Sequence, residues 1–280
     1  MGSMDGKVCV VTGANTGIGK ATAAGLARLG ATVVMACRDV AKGEAARAEV
    51  AAETGSETLR VMRLDLGSTA SVRAFVTEFE GGYDRLDALV NNAALSPLAR
   101  TVNDEGRETQ FAVNHLGPFL LTRLLLPRLK ASAPSRVVVV SSAVHKQARV
   151  DLDDLHSERG YVGLRVYANT KLMNLLFTRA LAKRLEGTGV TVNALHPGVV
   201  ATELVRDFPK VARWFVSKAF MTPEKGARTS VFLASDPAVG AVSGRYYVKS
   251  REARVSAAAR DDAMAERLWR LSSELVGMEA

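Results

Sequence analysis

The chain is 280 residues long, 48% hydrophobic and 24% charged, an ordinary globular composition with enough length to bury one sizeable core. Its 37 basic and 29 acidic residues leave a formal charge of +8, but the Arg and Lys positions are dispersed, which argues against nucleic acid as a partner. No stretch reaches the roughly 18 apolar residues of a membrane span and the start carries no charged-then-apolar leader, so a cytoplasmic protein without stable membrane insertion is expected.

Residues 1–6 read as a short lead-in. Residues 8–11 are an apolar, Val-rich run ending in the Gly-rich stretch 12–19, after which 21–29 has helix-forming composition and Gly30 stops it. Strand and helix then recur, with strands at 32–36, 59–64 and 88–90 and helices at 41–53 and 71–80. Cys9 and Cys37 lie in strand-like contexts with neither metal-knuckle nor CxxC spacing, and read as reduced core residues. A helical stretch at about 105–130 leads to a Val-rich strand at 137–140, a polar connection at 143–164 and a helix at 167–185. Strand 191–195, helix 223–235 and a short strand at 246–248 follow, and 249–280 is taken as a C-terminal extension. No linker, repeat or low-complexity tract divides the chain, so 1–280 is read as one α/β domain. The expected fold is a Rossmann-type doubly wound parallel sheet of about seven strands flanked by helices, its ligand crevice beyond the carboxyl ends of the strands.

Three groups of residues carry the chemistry. Gly13, Gly17 and Gly19 sit where a strand turns into a helix, letting the backbone approach a pyrophosphate at the helix N-terminus. Tyr167 and Lys171, four residues apart, place a phenol and an ammonium on one helix face. Ser141 and Ser142 end the preceding Val-rich strand, where neighbours face opposite sides, so only one can point into the crevice. Together with Asn91-Asn92-Ala93-Ala94, Asn114 and His196-Pro197-Gly198, these residues resemble the short-chain dehydrogenase/reductase family along nearly the whole chain. Segments 36–39, 42–44, 167–176 and 190–204 look most like its retinol-dehydrogenase branch.

The resemblance implies an NAD(P)-dependent oxidoreductase acting on a carbonyl or alcohol, with Tyr167 as proton donor, Lys171 holding the phenol's pKa down, and Ser142, rather than Ser141, bonding the substrate oxygen. It assigns Asn114 to anchoring a water chain that reaches the lysine. Gly13, Asn15, Thr16, Gly17, Ile18 and Gly19 would hold the pyrophosphate, Asp65 and Leu66 the adenine edge, and Asn91 and Ala93 the ribose wall. Pro197, Gly198, Val200 and Thr202 would border the nicotinamide beside Tyr167 and Lys171. NAD-selective relatives usually carry a carboxylate where Cys37 stands; here Arg38 follows instead and can pair with a 2′-phosphate, so NADP(H) is expected over NAD(H), although Asp39 is close enough to compete for the ribose.

Ala94 stands where the family commonly has Gly, which is tolerable if its backbone dihedrals are ordinary. Asp151, Asp153, Asp154 and Glu158 read as a solvated acidic loop, and no metal is assigned. Of the histidines, only His145, three residues past Ser142, is placed to approach substrate. Phe208, Val211, Ala212, Phe215 and Ala219 recur at helical spacing, with Arg206, Lys210, Arg213 and Ser217 on another face. That pattern predicts a lid over 205–220 that admits lipophilic aldehydes, ketones or alcohols, retinoid-like ones included, with Phe208 and Phe215 on the substrate. A nucleotide sensor without turnover, and a steroid or polyketide carbonyl reductase, are the alternatives. The apolar positions Leu172, Leu176 and Phe177 read as core sooner than interface, and the resemblance implies a homodimer or homotetramer.

Overall fold

The computed structural model describes residues 3–198 and 221–280; Val200, Thr202, Phe208, Phe215 and the whole 205–220 lid lie outside the described residues. Every residue of β1 (Val8–Thr12) is buried. Because side chains alternate along a strand, Val8 and Val10 enter one apolar layer while Cys9 and Val11 enter the other. A strand apolar on both faces must be sandwiched, and so are its neighbours. The sheet runs in the order β3 (Leu59–Arg63), β2 (Thr32–Cys37), β1, β4 (Ala88–Asn91), β5 (Ser135–Val140), β6 (Val190–His196), β7 (Tyr246–Val248), β8 (Arg251–Glu252). The first seven are parallel, as expected. The eighth is an antiparallel pair of residues on the β7 edge, too short and polar to leave a periodic signal.

On one face lie α1 (Gly17–Arg28), α2 (Val40–Thr54) and α7 (Pro223–Ser235); on the other lie α3 (Thr69–Gly82), α5 (Gly117–Ala131) and α6 (Gly163–Arg184). Strand order reverses between β1 and β4, so the loops after β1, β4 and β5 diverge there and open the crevice. The helix expected from 105 begins only at α4 (Thr109–Phe111), because Asn103 Oδ1 accepts from the Arg107 N–H at 2.8 Å and folds the preceding residues into a turn. The Glu108 carboxylate then caps the N–H groups of Gln110 and Phe111. A π-helical turn at Ala112–Leu116 separates α4 from α5.

Sequence reading drew no element beyond 248, yet Asp261 accepts from the Met264 N–H at 2.9 Å and starts α8 (Asp262–Leu275). Its buried Ala265, Leu268, Trp269 and Ser272 follow helical spacing and pack on α6. Trp269 stacks on Phe177 at 6.0 Å and meets Phe119 edge-on at 5.0 Å, with the Arg184 guanidinium 4.1 Å over its ring. Leu172, Leu176 and Phe177 are therefore interior residues of the protomer and offer no surface to a second copy.

His115, within the π-helical turn, is buried with Nε2 2.9 Å from the Ser272 hydroxyl of α8, and burial pushes its pKa from 6.5 down to about 4. The unfolded chain takes up this proton first as pH falls. The stability His115 contributes above pH 6.5 is thus lost as pH drops through about 4, on the order of 3 kcal/mol. Urea unfolding at pH 7 and pH 4.5 should show a steeper loss in the parent than in His115→Gln; equal losses would remove His115 as the acid-labile group.

Candidate active site

Two hydrogen bonds join the end of β5 to α6. The Ser141 hydroxyl donates to the Lys171 carbonyl at 2.8 Å, and Lys171 Nζ donates to the Val140 carbonyl at 3.0 Å. Ser141 is thereby buried and committed to the helix backbone, while Ser142 is partly exposed and its hydroxyl accepts from the Val144 N–H at 3.4 Å. Alternation along the strand distinguishes the pair. Helical spacing puts Lys171 Nζ 5.3 Å from the Tyr167 ring centroid, and the Tyr167 hydroxyl makes no hydrogen bond among the described residues.

The electrostatics differ from expectation. Burial pushes the Tyr167 phenol up, and it pushes Lys171 from 10.5 down to about 8. Desolvation penalises both charged forms, and the ammonium, over the ring face rather than at the hydroxyl, does not reverse this for the phenol. In this environment Tyr167 holds its proton across the neutral range, as a donor must.

Asn114 accepts from the Leu95 N–H and donates to the Leu95 carbonyl, both at 2.8 Å, and its amide also reaches the Thr170 hydroxyl at 3.2 Å. Thr170 in turn bonds the Tyr167 carbonyl at 2.8 Å. Asn114 therefore clamps the loop after β4 to α6, with no direct bond to Lys171 among the described residues.

The Gly-rich turn has the shape a pyrophosphate needs. Gly13 and Gly17 adopt φ of +64° and +53°, and a Cβ on Gly19 would lie 2.2 Å from the Gly13 carbonyl oxygen. Thr16 supplies no side-chain cap, so the first N–H groups of α1 stay open beside half-buried Asn15 and Ile18. These residues fit a dinucleotide. Sequence reading missed the support beneath them: Asn92 Nδ2 donates to the Thr12 carbonyl at 2.8 Å, and the Thr12 hydroxyl accepts from the N–H groups of Asn92 and Ala93. Asn91, expected at the ribose wall, donates its amide nitrogen to Thr122 of α5 at 2.8 Å, and its amide oxygen is buried without a hydrogen-bond partner among the described residues. In a strand one of two adjacent Asn residues must face each way, and the doubled Asn was the available signal.

Arg38 is exposed at the end of β2. Asp39 is engaged as the cap of α2, accepting from the Lys42 N–H at 3.0 Å with Lys42 Nζ 3.5 Å away, and those contacts hold its carboxyl below the usual range. Asp65 accepts from the Gly67 N–H at 2.9 Å, placing buried Leu66 at the crevice end of β3. Ala94 is not among the described residues with positive φ, which are Ser157, Lys249 and Ser250 apart from glycines. Pro197 and Gly198 follow β6, with Gly198 at φ +96° against the Met221 thioether.

The acidic loop is internally answered by arginines: Asp151 and Asp154 meet Arg159, Glu158 meets Arg100, and Asp153 meets Arg267 of α8. Among the described residues no group of three His, Cys, Asp or Glu is arranged to hold a metal. His145 does not line the crevice. It is 1% exposed and both ring nitrogens are bonded, to the Ser142 carbonyl and the Ser256 N–H.

A family model described as short chain dehydrogenase matches residues 7–211. Retinol dehydrogenase 14 of Homo sapiens is 48% identical over 296 residues, covering 99% of this chain and 88% of that protein. Dehydrogenase/reductase SDR family member 13 of Bos taurus is 49% identical over 288 residues, covering 99% of this chain and 75% of that protein. An uncharacterised protein from Mycobacterium paratuberculosis has a solved structure with a TM-score of 0.82 at 36% identity, covering 100% of this chain and 96% of that one. A chain from Beutenbergia cavernae assigned as an NAD(P)-dependent gluconate 5-dehydrogenase, with NADP bound at low occupancy, gives 0.71 at 30% identity, covering 88% of this chain and 95% of that one.

Proposed function

Since this chain belongs to the short-chain dehydrogenase/reductase family, in its retinol-dehydrogenase branch, and is an NAD(P)-dependent enzyme of alcohol and carbonyl groups, we propose that it uses NADP(H) and acts on a lipophilic aldehyde, ketone or alcohol, retinoid-like ones included. One observation carries the assignment of its chemistry: a phenol hydroxyl without a partner among the described residues, beside a buried lysine at the crevice end of β5.

NADP(H), once bound, would supply hydride to the carbonyl carbon or accept it from the alcohol. The chain's own residues handle the oxygen. In reduction, Tyr167 gives its proton to the developing alkoxide while the Ser142 hydroxyl donates a second hydrogen bond to the same oxygen. Lys171 supplies the charge that lets Tyr167 release the proton in that polarised state, and Asn114 keeps the loop after β4 in register with α6. The Gly13–Gly19 turn takes the pyrophosphate, Asp65 and Leu66 the adenine edge, the main chain at Asn91 and Ala93 the ribose, and Pro197 and Gly198 the nicotinamide.

The cofactor preference rests on Asp39. Its carboxylate is occupied by Lys42, so it is poorly placed to take the ribose hydroxyls, and exposed Arg38 remains for a 2′-phosphate. The parent should show higher kcat/KM with NADPH than with NADH across a panel of long-chain and short-chain aldehydes and ketones. Arg38→Ala should cut the NADPH value by about tenfold to a hundredfold, the worth of one charged hydrogen bond, and leave the NADH value near the parent's. An NADH preference in the parent would refute the assignment, and binding without turnover on any carbonyl would favour a sensor. Cys9 and Cys37 are buried and free, and a cytoplasmic location is part of this proposal. No helix of the described residues is long and apolar enough to cross a membrane. A homodimer or homotetramer must use surfaces other than the apolar stripe of α6.

A further inference from the structure

His145 lies in the short 3-10 turn Ala143–Gln147 that follows Ser142. Its Nδ1 is 2.6 Å from the Ser142 carbonyl oxygen, which can only accept, so Nδ1 carries the proton. Nε2 is then the acceptor that the Ser256 main-chain N–H, 3.2 Å away, requires. The two bonds together demand the neutral Nδ1–H tautomer, and the buried ring stands edge-on to Tyr246 of β7 at 5.3 Å. Burial lowers the His145 pKa, which keeps the ring neutral as this arrangement needs.

We propose that His145 is a positioning residue that ties the C-terminal extension, through Ser256, to the main chain of Ser142 and so fixes where the Ser142 hydroxyl sits. The Ser142 carbonyl receives two donors from His145, the ring Nδ1–H and the main-chain N–H at 3.2 Å. Without the ring, the turn keeps only its local backbone bonds and the weak cap from Ser142 to Val144. Residue 256 is 111 positions away in sequence, so nothing local replaces the link. A displacement of the serine near 1 Å removes the alignment of its hydroxyl with the substrate oxygen while leaving the cofactor turn after β1 untouched.

This inference rests on the proposed role of Ser142, and its test separates the two. His145→Phe keeps the ring's packing and loses both bonds; kcat should fall about 100-fold while the NADPH Kd and Tm stay close to the parent's. His145→Asn retains a donor where Nδ1 stood but has no counterpart of Nε2, so it cuts the link at Ser256 and its kcat should fall to the level of Ser256→Pro, while His145→Gln, reaching only the Ser256 side, leaves the Ser142 carbonyl unheld and should lose as much as His145→Phe. Ser256→Pro removes the N–H without altering the histidine. Its effect should be absorbed in the His145→Phe, Ser256→Pro double variant, which should lose no more than His145→Phe alone. Amide exchange at 143–147 should accelerate in both single variants, a readout that does not need turnover. Parent-level kcat with unchanged exchange in His145→Phe, parent-level kcat in both His145→Asn and Ser256→Pro, or losses in every variant that only track a lowered Tm, would overturn the proposal. A dead parent enzyme with faster exchange in His145→Phe would instead sink the catalytic reading and keep the link.

Discussion

Replacing Tyr167 by Phe should lower carbonyl reduction by about a thousandfold, within the range that a positioned acid contributes, while NADPH still binds and the fold stays intact. The ring and its contact with Lys171 remain, and the lost hydroxyl makes no hydrogen bond among the described residues, so little stability goes with it. The parent's pH profile gives a second check. Lys171 is charged below about pH 8 and neutral above it, because burial has brought it down from 10.5. Reductive kcat/KM should therefore hold level through neutrality and fall above pH 8, and Lys171→Arg should move that limb upward, an arginine staying charged. Near-parent turnover in Tyr167→Phe would take the residue out of its role.

A single methyl group at Gly19 should be almost as damaging, by a different route. The added Cβ would sit 2.2 Å from the Gly13 carbonyl oxygen and 2.5 Å from Asn92 Nδ2. Neither neighbour is free to retreat: the Gly13 N–H is bonded to the Ala36 carbonyl at 2.9 Å, and Asn92 Nδ2 to the Thr12 carbonyl. The turn must open, at a cost of about 1–3 kcal/mol, and the N–H groups that face the pyrophosphate move with it. Gly19→Ala should weaken NADPH binding by about 100-fold and lower Tm by several degrees, measured by cofactor fluorescence and thermal melts. Gly81→Ala in α3, where an added Cβ meets nothing within 4 Å, is the control and should bind NADPH as the parent does. Unchanged binding in Gly19→Ala would show that the turn does not hold the cofactor.

The residues that could be read from sequence are those whose meaning is local. Val-rich runs sandwiched between helical periods specify seven parallel strands, and the spacing of Tyr167 and Lys171 specifies a shared helix face. That only one of Ser141 and Ser142 faces the crevice followed from alternation, and the family resemblance picked the second. What stayed hidden depends on partners far along the chain. Asn92 bonds Thr12 from 80 positions away, and His145 meets Ser256 from 111, so no spacing rule connects either pair. His145 was expected near substrate because it follows Ser142 closely, but proximity in sequence does not fix the direction of a ring. Depth of burial is hidden in the same way: a sequence shows the ammonium beside the Tyr167 phenol and not the desolvation that raises the phenol and brings Lys171 down to about 8.

The α8 helix also sets a condition on how the molecule is made. Arg73 of α3 donates to the Val276 carbonyl 203 residues later, and Arg123 of α5 reaches the Glu279 carbonyl 156 residues later. Trp269 completes the aromatic group around Phe119 and Phe177, which without it would face water. A ribosome adding on the order of 10 residues per second exposes that surface for seconds before the covering helix emerges. The nascent chain therefore passes through an interval in which its nucleotide-binding half is complete and its far side is adhesive, and that interval is where chaperone capture and aggregation compete for it.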